Sequence, residues 1–166
     1  MPQTVRHPLA PLFDCRSRVL LLGTMPSPKS REQGLYYAHP RNRFWPILGA
    51  LFGEPVPDGR EERLVWLLDH GVALWDVLQS CEIKGAGDDS IRSPVPNDIG
   101  RILRAAPIQK VFTTGSAAAR LYRKYCLPST GVPAFPLPST SPANCRFYTL
   151  DTLIEAYRPV LDALQE

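Results

Sequence analysis

The sequence predicts an α/β fold: a three-layer αβα sandwich around a central four-stranded parallel sheet. Four short apolar runs each stop at glycine, proline or hydroxyl-rich sequence, as strands buried on both faces do. Helix-periodic segments alternate with these runs, and that alternation is the pattern of a parallel sheet covered on both sides. The length, 166 residues with 44% hydrophobic, suits one core and is short for two, so residues 1–166 are expected to form a single domain.

Val19–Gly23, an unbroken Val-Leu-Leu-Leu-Gly, is the first expected strand. Residues 71–78 hold the second, with Val72, Ala73, Leu74, Trp75 and Val77. Residues 110–115 and Ala134–Leu137 are the third and fourth. Phe44–Phe52 repeats apolar residues at Phe44, Ile47, Leu48 and Leu51, and residues 61–70 do so at Leu64, Val65, Leu67 and Leu68. Residues 98–105, Ser116–Tyr125 and residues 151–164 also read as helices. Prolines punctuate these elements and form no linker. In open parallel sheets, ligands bind beyond the carboxyl ends of the strands. The loops after Leu22, Val77, Thr114 and Leu137 are therefore the expected site.

Bulk properties narrow the function classes. A charged fraction of 21% and the lack of any bilayer-length apolar run fit a water-soluble chain. The first ten residues lack the apolar core of a signal peptide, so a cytoplasmic location is expected. The net charge of +3 hints only weakly at a polyanionic partner, although Lys29, Arg31, Arg41 and Arg43 cluster. Cys15, Cys81, Cys126 and Cys145 form no close pair and no Cys/His cluster. That spacing argues against zinc, lacks the tight pair of an iron–sulfur site, and predicts reduced, mostly buried thiols.

Three loops carry the candidate chemistry. Gly23-Thr24-Met25-Pro26-Ser27 follows the first strand and offers close backbone approach and hydroxyls, as many tight strand-exit turns do. Tyr36-Tyr37-Ala38-His39-Pro40-Arg41-Asn42-Arg43-Phe44-Trp45 interleaves aromatics with arginines, a combination suited to stacking on bases and pairing with phosphates. Trp45 and one of the tyrosines also suit core packing. Asn42 suits equally a helix cap or a reader of a base edge. Leu137-Pro138-Ser139-Thr140-Ser141-Pro142-Ala143-Asn144 leaves the fourth strand as a rigid, hydroxyl-rich turn able to hold a phosphate without positive charge.

In this order the three segments resemble the motifs of the uracil-DNA glycosylase superfamily. The middle one is similar to that of the mismatch-specific uracil/thymine glycosylases. Met25 and the Ser-Thr-Ser-Pro-Ala-Asn ending look more like the hypoxanthine-DNA (deoxyinosine) glycosylase branch. The resemblance implies a monofunctional base-excision repair enzyme that hydrolyses the N-glycosidic bond of a deaminated base, with no metal or organic cofactor. Its partner would be DNA containing such a base; no membrane would be involved, the enzyme would act as a monomer, and in a bacterium it would work at the nucleoid.

By position, the resemblance assigns Asn42 as the main polar catalytic group; His39, whose ring could donate to the leaving base or a phosphate, is a second candidate on its own chemistry. Gly23, Thr24, Met25, Pro26 and Ser27 would border the base and Phe44 would stack on it; Tyr37 is a further base-binding candidate from the aromatic pattern of the middle segment. Ser139, Thr140 and Ser141 would pinch a phosphate, and the character of their own loops makes Arg41, Arg43, Ala143 and Asn144 further candidates to meet the DNA strand. Many superfamily members carry Asn or Asp where this chain has Met25, His or Asn where it has Ser139, and Leu where it has Ala143. Those departures disfavour an efficient uracil enzyme and leave the residue that fills the vacated base stack unassigned.

A base inside a duplex is out of reach, so the reaction requires a flipped nucleotide, and flipping is cheapest at a mispair. No lysine lies within the three motifs, so no Schiff-base lyase step is expected, with Lys84 the lysine that lies nearest beyond the second strand. Asp88, Asp89 and Ser90 form a further loop that could supply an acid. The competing readings are a mismatch uracil/thymine glycosylase and a non-catalytic module that binds damaged DNA. A dinucleotide binder is disfavoured because no G-x-G-x-x-G follows the first strand.

Overall fold

In the computed structural model, which describes residues 3–83, 91–144 and 147–165, the four expected strands lie side by side. They are β2 (Val19–Gly23), β3 (Val72–Asp76), β6 (Lys110–Thr114) and β7 (Ala134–Leu137), in the order β3-β2-β6-β7 with parallel pairing throughout. Val19, Leu20, Leu21 and Leu22 are fully buried, which is why β2 tolerates no polar alternation. Its central place demands partners on both edges, and β3 and β6 supply them in register.

Helices flank this sheet. They are α1 (Pro28–Gln33), α2 (Phe44–Phe52), α3 (Arg60–Asp69), α4 (Gly100–Ala105), α5 (Ser116–Tyr125), α6 (Leu127–Thr130), α7 (Leu150–Ala156) and α8 (Arg158–Leu164). α3 packs on β3, α5 on β6 and β7, and α8 on β2, while α2 packs on α7 and α8. Phe44, Ile47 and Leu48 on α2 are fully buried, as the helical spacing predicted. The expected α/β sheet flanked by helices is therefore the observed one.

Two features depart from expectation. The helix expected over residues 151–164 is broken at Tyr157, because Pro159 has no N–H to bond back and begins a new helix instead. A second sheet also exists: β1 (Gln3–Arg6), β4 (Leu78–Ile83) and β5 (Arg92–Pro96) pair antiparallel in the order β1-β4-β5. The β4–β5 pairing shifts register twice, and β5 carries Pro94 and Pro96, which cannot donate to a ladder. Such strands lack the apolar run that marks the parallel ones.

Of the described cysteines, Cys81 and Cys126 are buried and Cys15 is exposed. Burial pushes the Cys126 thiol up to about 11, so it stays a neutral packing group. Cys145 lies outside the described residues.

Tyr157, fully buried, ties the helical layer to the last strand's exit by donating from its hydroxyl to the Pro138 carbonyl at 2.5 Å. Tyr157→Phe removes that donor and leaves the carbonyl unpaired. We expect a loss of about 1–2 kcal/mol in urea denaturation.

Candidate active site

A cavity of about 580 Å³ lies beyond the carboxyl ends of β2, β3 and β6. The strand ends supply its floor: Gly23, Asp76 and Thr114. Register puts them there, since Gly23 pairs with Asp76, and Leu22 with Thr113. A side chain at position 23 has no room. Its Cβ would sit 2.5 Å from Asp76 Oδ1 and 3.2 Å from the Tyr37 hydroxyl. The glycine of the first loop is thus required by the approach of an acid and a phenol to the main chain.

Asp76 is 3% exposed, a buried acid at the end of an otherwise apolar strand. Its Oδ2 accepts from His7 Nε2 at 2.7 Å, and the His7 side chain is also buried. His7 Nδ1 accepts the Leu9 N–H at 3.2 Å, so the ring proton belongs on Nε2. The Asn97 side chain donates to the Asp76 and Leu78 carbonyls and holds the β3–β4 turn.

Tyr37 forms one wall. Its φ of 56° is the left-handed region, costly for a residue with a side chain by roughly 1–2 kcal/mol. Two contacts hold it there. Its ring stacks on Phe44 with centroids 3.9 Å apart and planes 15° apart, and its hydroxyl lies 3.1 Å from Thr114 Oγ1. Thr114 in turn donates to the Leu22 carbonyl at 3.4 Å, so the tyrosine hydroxyl is the donor of the first bond. Burial, with the Asp76 carboxylate adding to it, pushes the Tyr37 phenol well above its ordinary range. It stays a neutral donor at any physiological pH.

Asn42 sits on another wall with its Oδ1 doubly engaged. It accepts the Phe44 N–H at 2.9 Å, which caps α2, and the Thr140 hydroxyl at 2.8 Å. A main-chain N–H can only donate, so the amide orientation is determined. The Nδ2 donors are left for the cavity that Asn42 lines, and no described residue accepts from them. Capping and cavity chemistry, alternatives from the sequence, are both open to this one side chain.

Several of the candidate residues are engaged within the protein. Phe44 is fully buried beneath Tyr37, so the aromatic face at the cavity is that of Tyr37. Arg43 turns inward and donates to the Tyr148 carbonyl at 2.6 Å and the Ser141 carbonyl at 3.3 Å, with its buried Nε unpaired. It clamps the loop and is not available to a phosphate. Thr140 is 2% exposed and spends its hydroxyl on Asn42. Ser27 caps α1 by accepting the Ser30 N–H. Thr24 is buried, while Met25, Pro26 and Ser27 line the cavity with it.

Others lie at the cavity or in the groove beside it. His39 lines the cavity from an exposed position, its Nδ1 accepting the Arg41 N–H at 3.0 Å. Arg41 is exposed. Ser139 and Ser141 accept the Ser141 and Ala143 N–H groups, which leaves both hydroxyl protons free to donate. Asn144 folds back onto the Ser139 carbonyl at 3.0 Å. Ser139, Ser141, exposed Ala143 and Asn144 also line a second groove, which continues to Arg120 and Arg123 on α5. Lys84, Asp88, Asp89 and Ser90 lie outside the described residues.

Sequence reasoning missed Asp76, His7, Thr114, Arg120 and Arg123. The available signal was Asp76 itself, an acid closing an apolar parallel strand at the end where ligands bind.

The family model described as the uracil DNA glycosylase superfamily matches residues 10–162. The chain is 31% identical to the hypoxanthine DNA glycosylase of Methanosarcina acetivorans over 137 residues, covering 82% of this chain and 86% of that one. It is 30% identical over the same length to the hypoxanthine DNA glycosylase of Methanosarcina barkeri, with the same coverage. The solution NMR structure of a candidate uracil DNA glycosylase from Methanosarcina acetivorans superposes with a TM-score of 0.83 at 27% identity, covering 99% of this chain and 100% of that one.

Gly23→Ala drives a methyl group into Asp76 and Tyr37. We expect about 2 kcal/mol or more of destabilisation, read as a lower urea midpoint with an unchanged denaturant slope.

Proposed function

The chain belongs to the uracil DNA glycosylase superfamily and is a DNA glycosylase, and from that premise we propose that the base it releases is hypoxanthine. The observation that carries the reading is the Asn42 amide. Its oxygen is spent on Phe44 and Thr140, so only N–H donors face the cavity. A purine leaves with negative charge growing on its ring, and a fixed donor stabilises that charge. The same amide cannot accept a proton from water. Asn42 therefore serves the leaving base, and water captures the sugar by position alone.

The flipped base stacks on Tyr37, whose ring Phe44 braces from behind. The glycosidic C1′–N bond breaks first, leaving positive charge on the sugar and the electron pair on the base. Water then adds to C1′, and the proton it gives up neutralises the departed base anion. His39, at the cavity mouth with Nδ1 occupied by Arg41, offers its Nε2 side to the base or a neighbouring phosphate. Likeness to two hypoxanthine DNA glycosylases supports the choice of base.

The strand follows the second groove. Ser139 and Ser141 donate hydroxyl protons to a phosphate, and Arg120 and Arg123 supply charge. Phe147, 77% exposed just beyond this loop, is the apolar side chain free to enter the emptied stack.

Excess protein is incubated with duplexes carrying one hypoxanthine, uracil, xanthine or mispaired thymine, and abasic sites are then cleaved with alkali. Breaks at hypoxanthine that fall about 10²–10³-fold in Asn42→Ala support the assignment. Breaks confined to uracil move the substrate to the mismatch-uracil class. Binding without breaks at any lesion refutes excision of these bases. The Arg120→Glu, Arg123→Glu double variant should weaken DNA binding and reduce the slope of log K against log salt by about 2.

A further inference from the structure

The proposed excision reaction leaves half of the basic cluster of Lys29, Arg31, Arg41 and Arg43 without a task. Arg43 bonds carbonyls inside the protein, and Arg41 is exposed and lines neither the cavity nor the groove beside it. Lys29 and Arg31 both line the cavity. They are half-buried, and neither forms an ion pair with any described residue. Arg31 reaches the Pro26 carbonyl at a long 3.5 Å, and Lys29 has no described partner. Glu32 lines the same wall from an exposed position and pairs with neither cation. Asp76, on the floor, is bound by His7 and pairs with neither as well.

The helix that carries these cations is held in place. The first loop runs from the cavity floor at Gly23 into α1, and Ser30 on that helix is 1% exposed. Its hydroxyl oxygen accepts the Ala38 N–H at 3.0 Å, which ties α1 to the loop carrying Tyr37. Neighbours of a helical residue lie about 100° to either side of it around the axis. Lys29 and Arg31 therefore flank the buried line of α1, their stems packed along the wall and their charged ends at the cavity.

Unpaired cations are a handicap in a cavity where the reaction builds positive charge on a sugar, and the repulsion grows as water is excluded. A phosphate that enters with the substrate removes it. We propose that Lys29 and Arg31 form a second phosphate site, on the α1 wall of the cavity, which takes a phosphodiester flanking the flipped nucleotide. The assignment rests on the glycosylase reading above. The charges match: Lys29 and Arg31 outweigh Glu32 by one positive charge, and a phosphodiester carries one negative charge. Ser139 and Ser141 meet their phosphate with neutral hydroxyls, whereas the α1 wall meets its own with charge. The flipped nucleotide is thus held through two phosphates by groups of different kind.

Pairing single phosphates with single protein charges tests this. Duplexes carry a hypoxanthine nucleotide made resistant to cleavage by fluorine at C2′, so that binding is read without release. Each phosphate near the lesion is replaced in turn by an uncharged methylphosphonate. Binding is measured for wild type, for the double variant Lys29→Gln, Arg31→Gln, and for the exchange variant Lys29→Arg, Arg31→Lys, which keeps both charges. Urea denaturation is the folding control, and base release from the cleavable duplex is followed in parallel.

Neutralising one flanking phosphate should weaken wild-type binding about tenfold. In the double glutamine variant that loss should vanish at the same phosphate and persist at the one held by Ser139 and Ser141. The exchange variant should keep it. Equal losses in wild type and the double glutamine variant at every phosphate overturn the proposal, as does a wild type that loses nothing at any flanking phosphate. A double glutamine variant with an unchanged phosphate pattern and slow base release overturns it too, since the two cations then serve the leaving base. Coupling at one phosphate without release of any base upholds the site and refutes the glycosylase reading.

Discussion

β2 is paired on both edges and fully buried, so its alignment with β3 and β6 determines where every strand ends. Sliding a parallel partner by one residue would turn its buried side chains to the opposite face. Because both faces are buried, a slip would exchange apolar side chains between two filled layers, and it is their close packing around Val19, Leu20, Leu21 and Leu22 that resists it. The cavity floor follows as a consequence. Gly23, Asp76 and Thr114 meet because the strands carrying them stop level with one another. The sheet register therefore positions the chemistry before any loop contributes.

The loops then add a second layer of constraint. Arg43 bonds the carbonyls of Ser141 and Tyr148, Tyr157 bonds that of Pro138, and Thr140 bonds Asn42. These contacts bind the loop after β7 to the start of α2 and to the junction of α7 and α8. Tyr37 is held in a left-handed conformation by a ring behind it and a hydroxyl beside it. Backbone held in this region is tolerated where surrounding contacts over-determine it. The aromatic wall is consequently in place before a base arrives, which lowers the ordering cost of binding.

The parallel sheet was legible because burial on both faces writes itself into sequence as unbroken apolar runs. Val19–Gly23 and Ala134–Leu137 match the strands observed, and Phe44–Phe52 and Ser116–Tyr125 match the helices. The antiparallel sheet was not legible. β4 is half exposed and bulged, and β5 contains two prolines, so neither has a period to read. The three site loops were found, but not the order of the rings within them. Composition cannot say that Tyr37 covers Phe44, because both are aromatic and only the backbone turn at Tyr37 decides it. His7 and Asp76 were missed for a different reason. Their meaning lies in a contact across 69 residues; Asp76 left a mark of its own as an acid closing an apolar strand, but His7 has none in its own segment.

Active-site groups usually set stability against activity, since a residue chosen for chemistry is poorly chosen for packing. Asn42 escapes that conflict. Its oxygen stitches a helix start to a loop, while its nitrogen faces the cavity. Aspartate could keep the stitch but would remove the donors, and alanine would lose both. Glutamine would move the amide by one methylene. Selection for a well-folded chain therefore guards this position even in a population where the lesion is rare, and genetic drift through alanine is opposed twice over.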